Sequence, residues 1–234
     1  MNDISVVIPA YNSERFVAEA IKSALGQSHL PVEVIVIDDG STDGTADVVR
    51  GFSDRVHYHY QENGGIGRAR NKGVELARCS FLSFVDSDDC WTDNKLSLQL
   101  QEFNRDPELD MVFGQALQVV NGDAWNNRRS NNEQPNLAPA LVPGGILVKR
   151  ESFLRVGEFR SDTKVGEFID WYARAIELGL KSRVTQDLVL WRRLHDSNQG
   201  IRERASVSDY ARVLKASLDR RRAAQQQSTT NGER

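Results

Sequence analysis

The first half of the chain alternates short apolar runs with segments whose apolar residues recur every three or four positions. Four runs rich in β-branched or aromatic residues predict buried strands at residues 4–8, 32–37, 56–60 and 81–85. Helical spacing between them predicts helices from about Ser13, from Thr45 to Val49 and from Ile66 to Arg78. Such alternation favours parallel strands joined by right-handed crossovers, and continuously apolar strands indicate a sheet covered on both faces. We therefore predict an α/β fold with a mostly parallel sheet.

The pattern becomes less regular after Asp89. Helices are predicted around residues 96–103, 167–178 and 207–222, and strands at 111–120, 146–148 and 188–194. Residues 121–139 are rich in Asn, Arg and Pro and predict a long loop, a feature that in compact domains is usually functional or mobile. We expect one domain over residues 1–205, with halves at 1–105 and 106–205, a basic amphipathic helix at 206–222 and a polar, disordered tail at 223–234.

The amino-acid composition limits the classes to which this protein can belong. The chain has 234 residues, 39% of them hydrophobic, and a net charge of −3, values typical of a soluble α/β protein and not of a nucleic-acid-binding surface. No apolar run approaches the length that spans a bilayer, and the N-terminus shows no signal-peptide pattern. The two cysteines, Cys79 and Cys90, form no CxxC pair, which indicates a reducing compartment. We expect a cytoplasmic protein.

Three carboxylates stand directly after the fourth apolar run, at Asp86, Asp88 and Asp89. Crowded anions repel one another unless a cation lies between them. Divalent cations such as Mg²⁺ take oxygen ligands, usually one or two carboxylates together with substrate phosphates. A metal site and an ordinary acidic turn both fit this segment alone.

Two more polar loops follow apolar strands in the same way, at residues 9–12 and 38–45. In a parallel sheet the three loops would lie at one edge, the edge where open α/β sheets bind ligands. Together they predict a pocket for a base, a ribose and a diphosphate with its metal ion.

These loops, with the segment Asn63 to Gly73, carry a resemblance to a known family. The stretches are Val6-Val7-Ile8-Pro9-Ala10-Tyr11-Asn12, Val36-Ile37-Asp38-Asp39-Gly40-Ser41-Thr42-Asp43-Gly44-Thr45, Asn63-Gly64-Gly65-Ile66-Gly67-Arg68-Ala69-Arg70-Asn71-Lys72-Gly73 and Asp86-Ser87-Asp88-Asp89. They resemble glycosyltransferase family 2, densely over residues 4–105 and more loosely over 140–200. The resemblance implies the GT-A fold, a Rossmann-like sheet flanked by helices, here with a C-terminal helical extension. It also implies metal-dependent, inverting transfer of a sugar from a nucleotide-diphosphate sugar to an acceptor hydroxyl.

The resemblance assigns donor and metal roles by position. The residues implied to frame the nucleotide are Pro9, Ala10, Tyr11 and Asn12. Asp39 would accept hydrogen bonds from the base, and Asp38 would either share that role or order the loop. Asp86 would hold the ribose or a metal-bound water, and Asp88 would ligate the cation, Mn²⁺ or Mg²⁺. Arg70 would contact substrate or form a salt bridge beneath the acidic loops.

The second half should supply the general base that takes a proton from the acceptor. The family often has a Glu-Asp pair here, and this chain has Glu167 followed by Phe168. Glu167 is the first candidate, and Asp170, one turn later, is the second. Acidic residues in the first turn of a helix also interact favourably with the helix dipole, which would explain Glu167 and Asp170 without a catalytic role. His195, in a late Arg-x-His-like segment, would touch the diphosphate or the metal.

Three other functions compete with sugar transfer as interpretations of the sequence. A dinucleotide oxidoreductase would carry its glycine fingerprint after the first strand, where this chain has Pro9 to Asn12. A nucleotidyltransferase and a sugar-nucleotide-binding domain without catalysis stay open. The sequence names neither the sugar nor the acceptor, which could be a saccharide, a lipid-linked group or a peptide.

The C-terminal helix combines an apolar face with several basic residues. Val207, Tyr210, Leu214 and Leu218 recur at helical spacing. We expect this face to dock on the catalytic domain or on a second subunit as a homodimer. The alternative is peripheral contact with the inner face of an anionic membrane.

Overall fold

The computed structural model describes residues 2–120, 137–195 and 207–231. The strands are β1 (Ile4–Ala10), β2 (Glu33–Asp39), β3 (His57–Gln61), β4 (Phe81–Phe84), β5 (Cys90–Trp91), β6 (Met111–Val120), β7 (Ala138–Pro139), β8 (Ile146–Lys149) and β9 (Ser182–Leu194). The helices are α1 (Val17–Leu25), α2 (Thr45–Arg50), α3 (Ile66–Leu76), α4 (Lys95–Arg105), α5 (Arg150–Val156), α6 (Glu167–Glu177) and α7 (Val207–Asn231).

The nine strands in the described part of the chain join one sheet in the order β3-β2-β1-β4-β8-β6-β9-β5, with β7 paired to β6. The first four neighbours are parallel, as the alternating pattern predicts. Strand β8 runs antiparallel to both β4 and β6, while β6 and β9 are parallel. The carboxyl ends of β2, β1 and β4 therefore lie side by side.

The sheet separates two hydrophobic layers. Alternate residues of β1 point to opposite faces, so Ile4 and Val6 join the layer of α1 and α4, whereas Val7 joins the layer of α3 and α6. A Cβ atom at Gly73 of α3 would overlap the side chain of Val7. Glycine at this position lets α3 approach the sheet closely, which fixes the helix that carries Arg70.

The mostly parallel α/β sheet predicted from the sequence is confirmed. The last strand begins at Ser182, six residues earlier than predicted, and no sequence pattern predicted α5 or the two-residue strands β5 and β7. Two residues are too few to show a period of two, and β5 forms only because β9 pairs with it.

The C-terminal helix continues to Asn231, nine residues beyond the predicted end at 222. Alanine and glutamine after Arg222 are good helix formers, so the structure shows helix, not a disordered tail, over residues 223–231. The remaining tail residues 232–234 and most of the predicted loop, residues 121–136, lie outside the described residues. Within the described ranges, no helix is both long enough and apolar enough to cross a membrane.

Lys95 is an unusual member of the core. Its side chain is completely buried at the start of α4. Its Nζ donates to Ser83 Oγ at 2.8 Å, Gln99 Oε1 at 2.7 Å and the Ile146 carbonyl at 3.0 Å, and it lies 4.3 Å from the centre of the Trp91 ring. These groups satisfy the three donors of the ammonium without a carboxylate. Burial lowers the pKa of Lys95 well below its usual value of 10.5.

This burial predicts a pH-dependent contribution to stability. Between the lowered pKa and the ordinary pKa of 10.5, the unfolded chain holds a proton on Lys95 that the folded chain lacks. The free energy of unfolding should therefore rise with pH across that interval through this residue. Urea unfolding from neutral pH to about pH 10 should show that Lys95→Met removes this increment, while Lys22→Met on the exposed side of α1 keeps it. Equal slopes in all three proteins would contradict the prediction.

Candidate active site

Three loops meet at the carboxyl edge of the sheet, as the strand order requires. Ser13 Oγ, after β1, lies 2.7 Å from Ser87 Oγ, after β4. Asn12 Oδ1 accepts a hydrogen bond from the Thr42 backbone N–H at 2.8 Å, and the Ser13 N–H donates to Thr45 Oγ1 at 2.8 Å. The predicted convergence of the three loops is therefore present, with polar contacts joining each loop to the next.

The four residues predicted to frame the nucleotide divide into two pairs. Pro9 and Ala10 are buried within β1 and can present only their backbone. Tyr11 is 40% exposed at the sheet edge. Asn12 has a left-handed backbone (φ 48°) that its side-chain contact with the second loop supports. Tyr11 is thus the member of the set whose side chain is available to a ligand.

Asp38 and Asp39 both order the surrounding loops. Asp39 accepts hydrogen bonds from the Gly64 N–H at 2.9 Å and the Gly65 N–H at 2.8 Å, just before α3, and from Gln61 Nε2 at 2.7 Å. Asp38 accepts from the Ser41 N–H and from the Tyr58 hydroxyl. The loop-ordering role considered for Asp38 therefore extends to Asp39, whose contact with a base stays a prediction.

The acidic loop after β4 has unequal members. The side chains of Asp86 and Asp88 are 30% and 26% exposed, whereas Asp89 is buried and accepts the Arg193 backbone N–H at 2.9 Å. Burial and the charges of Asp88 and Asp86 raise the pKa of Asp89 well above its usual range. Burial, together with the charge of Asp86, also raises the pKa of Asp88. Both shifts show that ionised carboxylates are unfavourable here without a counterion, and a cation bound beside them would favour their charged forms.

His195 lies beside this loop, and its contact with a diphosphate or a metal ion stays a prediction. Its Nε2 is 3.0 Å from Asp88 Oδ2, and its ring packs 4.8 Å from Phe16. The guanidinium of Arg193 covers the same Phe16 ring and forms an ion pair with Glu19 of α1. Arg193 is the arginine of the same Arg-x-His-like segment, and sequence reasoning assigned it no role. Its partner Glu19 is 174 residues away, which no local pattern reveals.

Arg70 joins the two halves of the site. Its guanidinium is fully buried, with Nη2 donating to Asp86 Oδ1 at 2.6 Å and Nη1 forming an ion pair with Glu167 Oε1. Burial alone would lower the pKa of Arg70, but the charges of Asp86 and Glu167 outweigh it and raise that pKa. Of the two roles considered for Arg70, the structure contains the salt bridge beneath the acidic loops.

The two base candidates on α6 face different surroundings. Glu167 faces Arg70 and has 11% of its side chain exposed. Asp170 has 3% exposed, and its two oxygens accept from Arg174 Nε at 2.8 Å and Arg220 Nη1 at 3.3 Å. Phe168, at the position where the family often has an acid, is buried against Trp171. Of these three residues, only Glu167 is linked to the acidic loop, because it shares Arg70 with Asp86.

The described residues include no group of three or more His, Cys, Asp or Glu side chains arranged to hold a metal ion. A donor-bound cation does not need such a group, because Mg²⁺ retains waters and takes one or two carboxylates with substrate phosphates. Asp86 and Asp88 are partly exposed oxygen donors in a crowded anionic loop. The residues present therefore fit a cation that arrives with the donor.

Comparison with known sequences finds similar proteins. An uncharacterised glycosyltransferase of Rickettsia typhi is 36% identical over 206 residues, which cover 83% of this chain and 64% of the relative. The putative teichuronic acid biosynthesis glycosyltransferase TuaG of Bacillus subtilis is 41% identical over 102 residues, covering 42% of this chain and 40% of TuaG. The chain thus spans less than two thirds of the length of either relative.

Solved structures share the fold. Residues 1–349 of Staphylococcus aureus TarS, in complex with UDP-GlcNAc, superpose with a TM-score of 0.67 at 21% identity, covering 84% of this chain and 60% of that one. The mannosyltransferase PcManGT of Pyrobaculum calidifontis, in complex with GDP-Man and Mn²⁺, gives a TM-score of 0.64 at 20% identity and covers 84% and 58%. These likenesses confirm the predicted GT-A fold.

The family can also be identified directly from the sequence. The model of the family described as "Glycosyl transferase family 2" matches residues 5–164, well over half of the chain. This match includes all three site loops and ends just before Glu167. The chain belongs to glycosyltransferase family 2.

Proposed function

We propose that this protein transfers a sugar from a nucleotide-diphosphate sugar to an acceptor hydroxyl, with inversion at the anomeric carbon and with a divalent cation bound beside the acidic loop. The observation that carries the proposal is that the guanidinium of Arg70 joins Glu167 to Asp86, in the partly exposed acidic loop that also carries Asp88. This arrangement puts a site for a charged leaving group next to a carboxylate that can accept a proton. Family membership and the nucleotide sugars bound to the structural relatives support the donor class.

The acidic loop is the proposed position of the donor diphosphate. Asp88 and Asp86 would hold Mn²⁺ or Mg²⁺, and His195 would contact the cation or the diphosphate beside Asp88. The cation would stabilise the negative charge that develops on the leaving nucleoside diphosphate. Without a counterion, the acids would repel the phosphates. Tyr11 would lie along the nucleoside, and Asp39 would hold the loop that receives the base.

Glu167 is the proposed general base. The ion pair with Arg70 holds the carboxylate of Glu167 in place at the start of α6. Among the described residues, the structure records a donor only for Oε1 of Glu167, which leaves Oε2 for an acceptor hydroxyl. Asp170 is less suited, because both of its oxygens contact arginines at the packing surface between α6 and α7.

Arg70 is proposed as a positioning residue. Its two terminal nitrogens hold the two carboxylates in place, Nη2 binding Asp86 and Nη1 binding Glu167. Arginine suits this task because its donors are arranged in a rigid fork. The proposed base therefore keeps its place relative to the acidic loop, although Glu167 and Asp86 are 81 residues apart in sequence.

A donor screen tests the proposed function. Purified protein is incubated with UDP-, GDP- and dTDP-sugars and Mn²⁺ or Mg²⁺, and thermal stability and released nucleoside diphosphate are measured. One donor class should raise the melting temperature, because a ligand at about 100 times its Kd stabilises the folded state by about 2.7 kcal/mol. Asp88→Ala or a chelator should remove the shift, while Asp54→Ala, an exposed acid outside the site, should keep it.

The same screen separates the alternatives. Donor binding without any release of nucleoside diphosphate, even with added acceptors, would favour a non-catalytic binding domain. A parallel incubation supplies a nucleoside triphosphate and a sugar phosphate in place of the donor. Formation of a sugar nucleotide in that incubation would favour a nucleotidyltransferase. A melting shift that persists fully in Asp88→Ala would show that Asp88 is not the metal ligand.

The choice of base is tested by two substitutions on α6. Glu167→Gln should reduce kcat by about 10²–10⁴-fold, the usual cost of losing a general base, with donor affinity unchanged. Asp170→Asn should affect mainly stability, because it weakens the contacts with Arg174 and Arg220. A larger loss of kcat in Asp170→Asn would move the base by one turn. The proton spectrum of the first-formed product should show the anomeric configuration opposite to that of the donor, and retention would contradict inversion.

The role of Arg70 is tested by a double-mutant cycle. Arg70→Met should destabilise the fold by about 3–5 kcal/mol, because Glu167 and Asp86 would lose their counterion. Adding Glu167→Gln should recover part of that loss, since one uncompensated carboxylate is removed, and urea unfolding measures both steps. Arg68→Met, an exposed neighbour on α3, is the matched control. Effects of Arg70→Met and Glu167→Gln that add within about 0.5 kcal/mol would show that the pair is not coupled.

A further inference from the structure

Helix α7 docks on α6 through one face. Val213 is 1% exposed, Ser217 Oγ donates to Glu177 Oε1 at 2.7 Å, and Arg220 Nε donates to Glu177 Oε2 at 2.6 Å. Near the start of the helix, Asp209 accepts the Lys164 backbone N–H at 2.9 Å. The helix therefore docks on the catalytic domain, as expected, but with the face that carries these residues.

The face predicted to dock is largely left in solvent. Tyr210, Leu214 and Leu218 are 39%, 61% and 52% exposed, and the side chain of Val207 lies outside the described residues. Residues four apart lie above one another on a helix, so the three side chains form a row, here called the apolar row of α7. Single exposed leucines are ordinary, but a continuous exposed row on a docked helix indicates an interaction surface.

Basic residues lie along this row. At 3.6 residues per turn, Arg221 projects in line with the row, while Arg222 and Lys215 lie along its solvent edge beyond Leu218. All three are exposed, and Asp219, the one acid in this stretch of the helix, projects further round. The nearby acid Glu177 is neutralised by Arg220. The exposed side of α7 therefore combines large apolar side chains with a positive charge.

We propose that the apolar row of α7 and its cations form a contact site for an anionic lipid surface. An amphipathic helix of this kind lies in the plane of the interface, with its apolar residues at the headgroup boundary and its cations on acidic headgroups. A second copy of the chain is a poorer occupant. A two-fold contact that pairs the two rows in parallel would bring Lys215, Arg221 and Arg222 of one copy close to the same cations of the other. The proposal is independent of the donor and the chemistry proposed above.

The test measures flotation of the full chain with lipid vesicles. Vesicles that contain phosphatidylglycerol should carry the protein at low salt and release it at high salt, and vesicles of phosphatidylcholine alone should not carry it. Leu214→Gln combined with Leu218→Gln should abolish flotation. The control pair Leu154→Gln and Leu178→Gln, equally exposed leucines elsewhere, should float like the wild type. Unchanged melting temperatures would show that each variant is folded.

A second pair of variants tests the charges. Lys215→Gln with Arg222→Gln should weaken binding about 25-fold, which is roughly fivefold for each cation. Lys22→Gln with Arg68→Gln removes two exposed cations outside α7 and should leave binding unchanged. Arg221 is left in place because it also approaches Glu177.

Three results would overturn the proposal. They are no flotation with anionic vesicles at low salt, equal flotation with neutral vesicles, and flotation that survives the loss of both leucines. Sedimentation velocity gives a further check. A concentration-dependent dimer that disappears in Leu214→Gln/Leu218→Gln would assign the row to a second copy instead.

Discussion

The ion pairs of Arg70 with Asp86 and Glu167 are the interaction on which the site depends. A buried guanidinium is tolerated only with its charge compensated, so the fold must bring a carboxylate from each half of the chain to the same place. That requirement links α3, the loop after β4 and the start of α6. It also explains why α3 must pack so closely on β1, where Gly73 allows the approach.

The parts that sequence reasoning predicted well are those set by local pattern. Strands with both faces buried are apolar throughout, and four of them in alternation with helices are enough to predict the parallel part of the sheet. Because parallel strands end at one edge, the convergence of the loops after β1, β2 and β4 follows directly. Contacts such as Ser13 with Ser87 confirm that step, while the identity of their ligand stays a proposal.

The parts that could not be predicted depend on partners far away in sequence. Strand β5 exists through its pairing with β9, a hundred residues later. The prediction that α7 docks through its most apolar face is wrong, because hydrophobic periodicity gives no weight to an ion pair such as Arg220 with Glu177. The contact of Asp170 with Arg220 spans 50 residues and is equally invisible to local pattern, while the role of Asp170 as a second candidate base stays a prediction.

Phe168 shows how a departure from the family pattern can leave the link between α6 and the acidic loop in place. Successive residues of a helix project about 100° apart, so positions 167 and 168 cannot both face the acidic loop. Position 168 faces an aromatic cluster, with the Phe159 ring on one side and the stacked ring of Tyr172 on the other. A carboxylate there would be buried without a counterion, whereas phenylalanine fills the space. The same Phe159 ring lies 6.0 Å from the guanidinium of Arg70. Apolar rings around that group exclude water and so strengthen its attraction for the one carboxylate that α6 does present, Glu167.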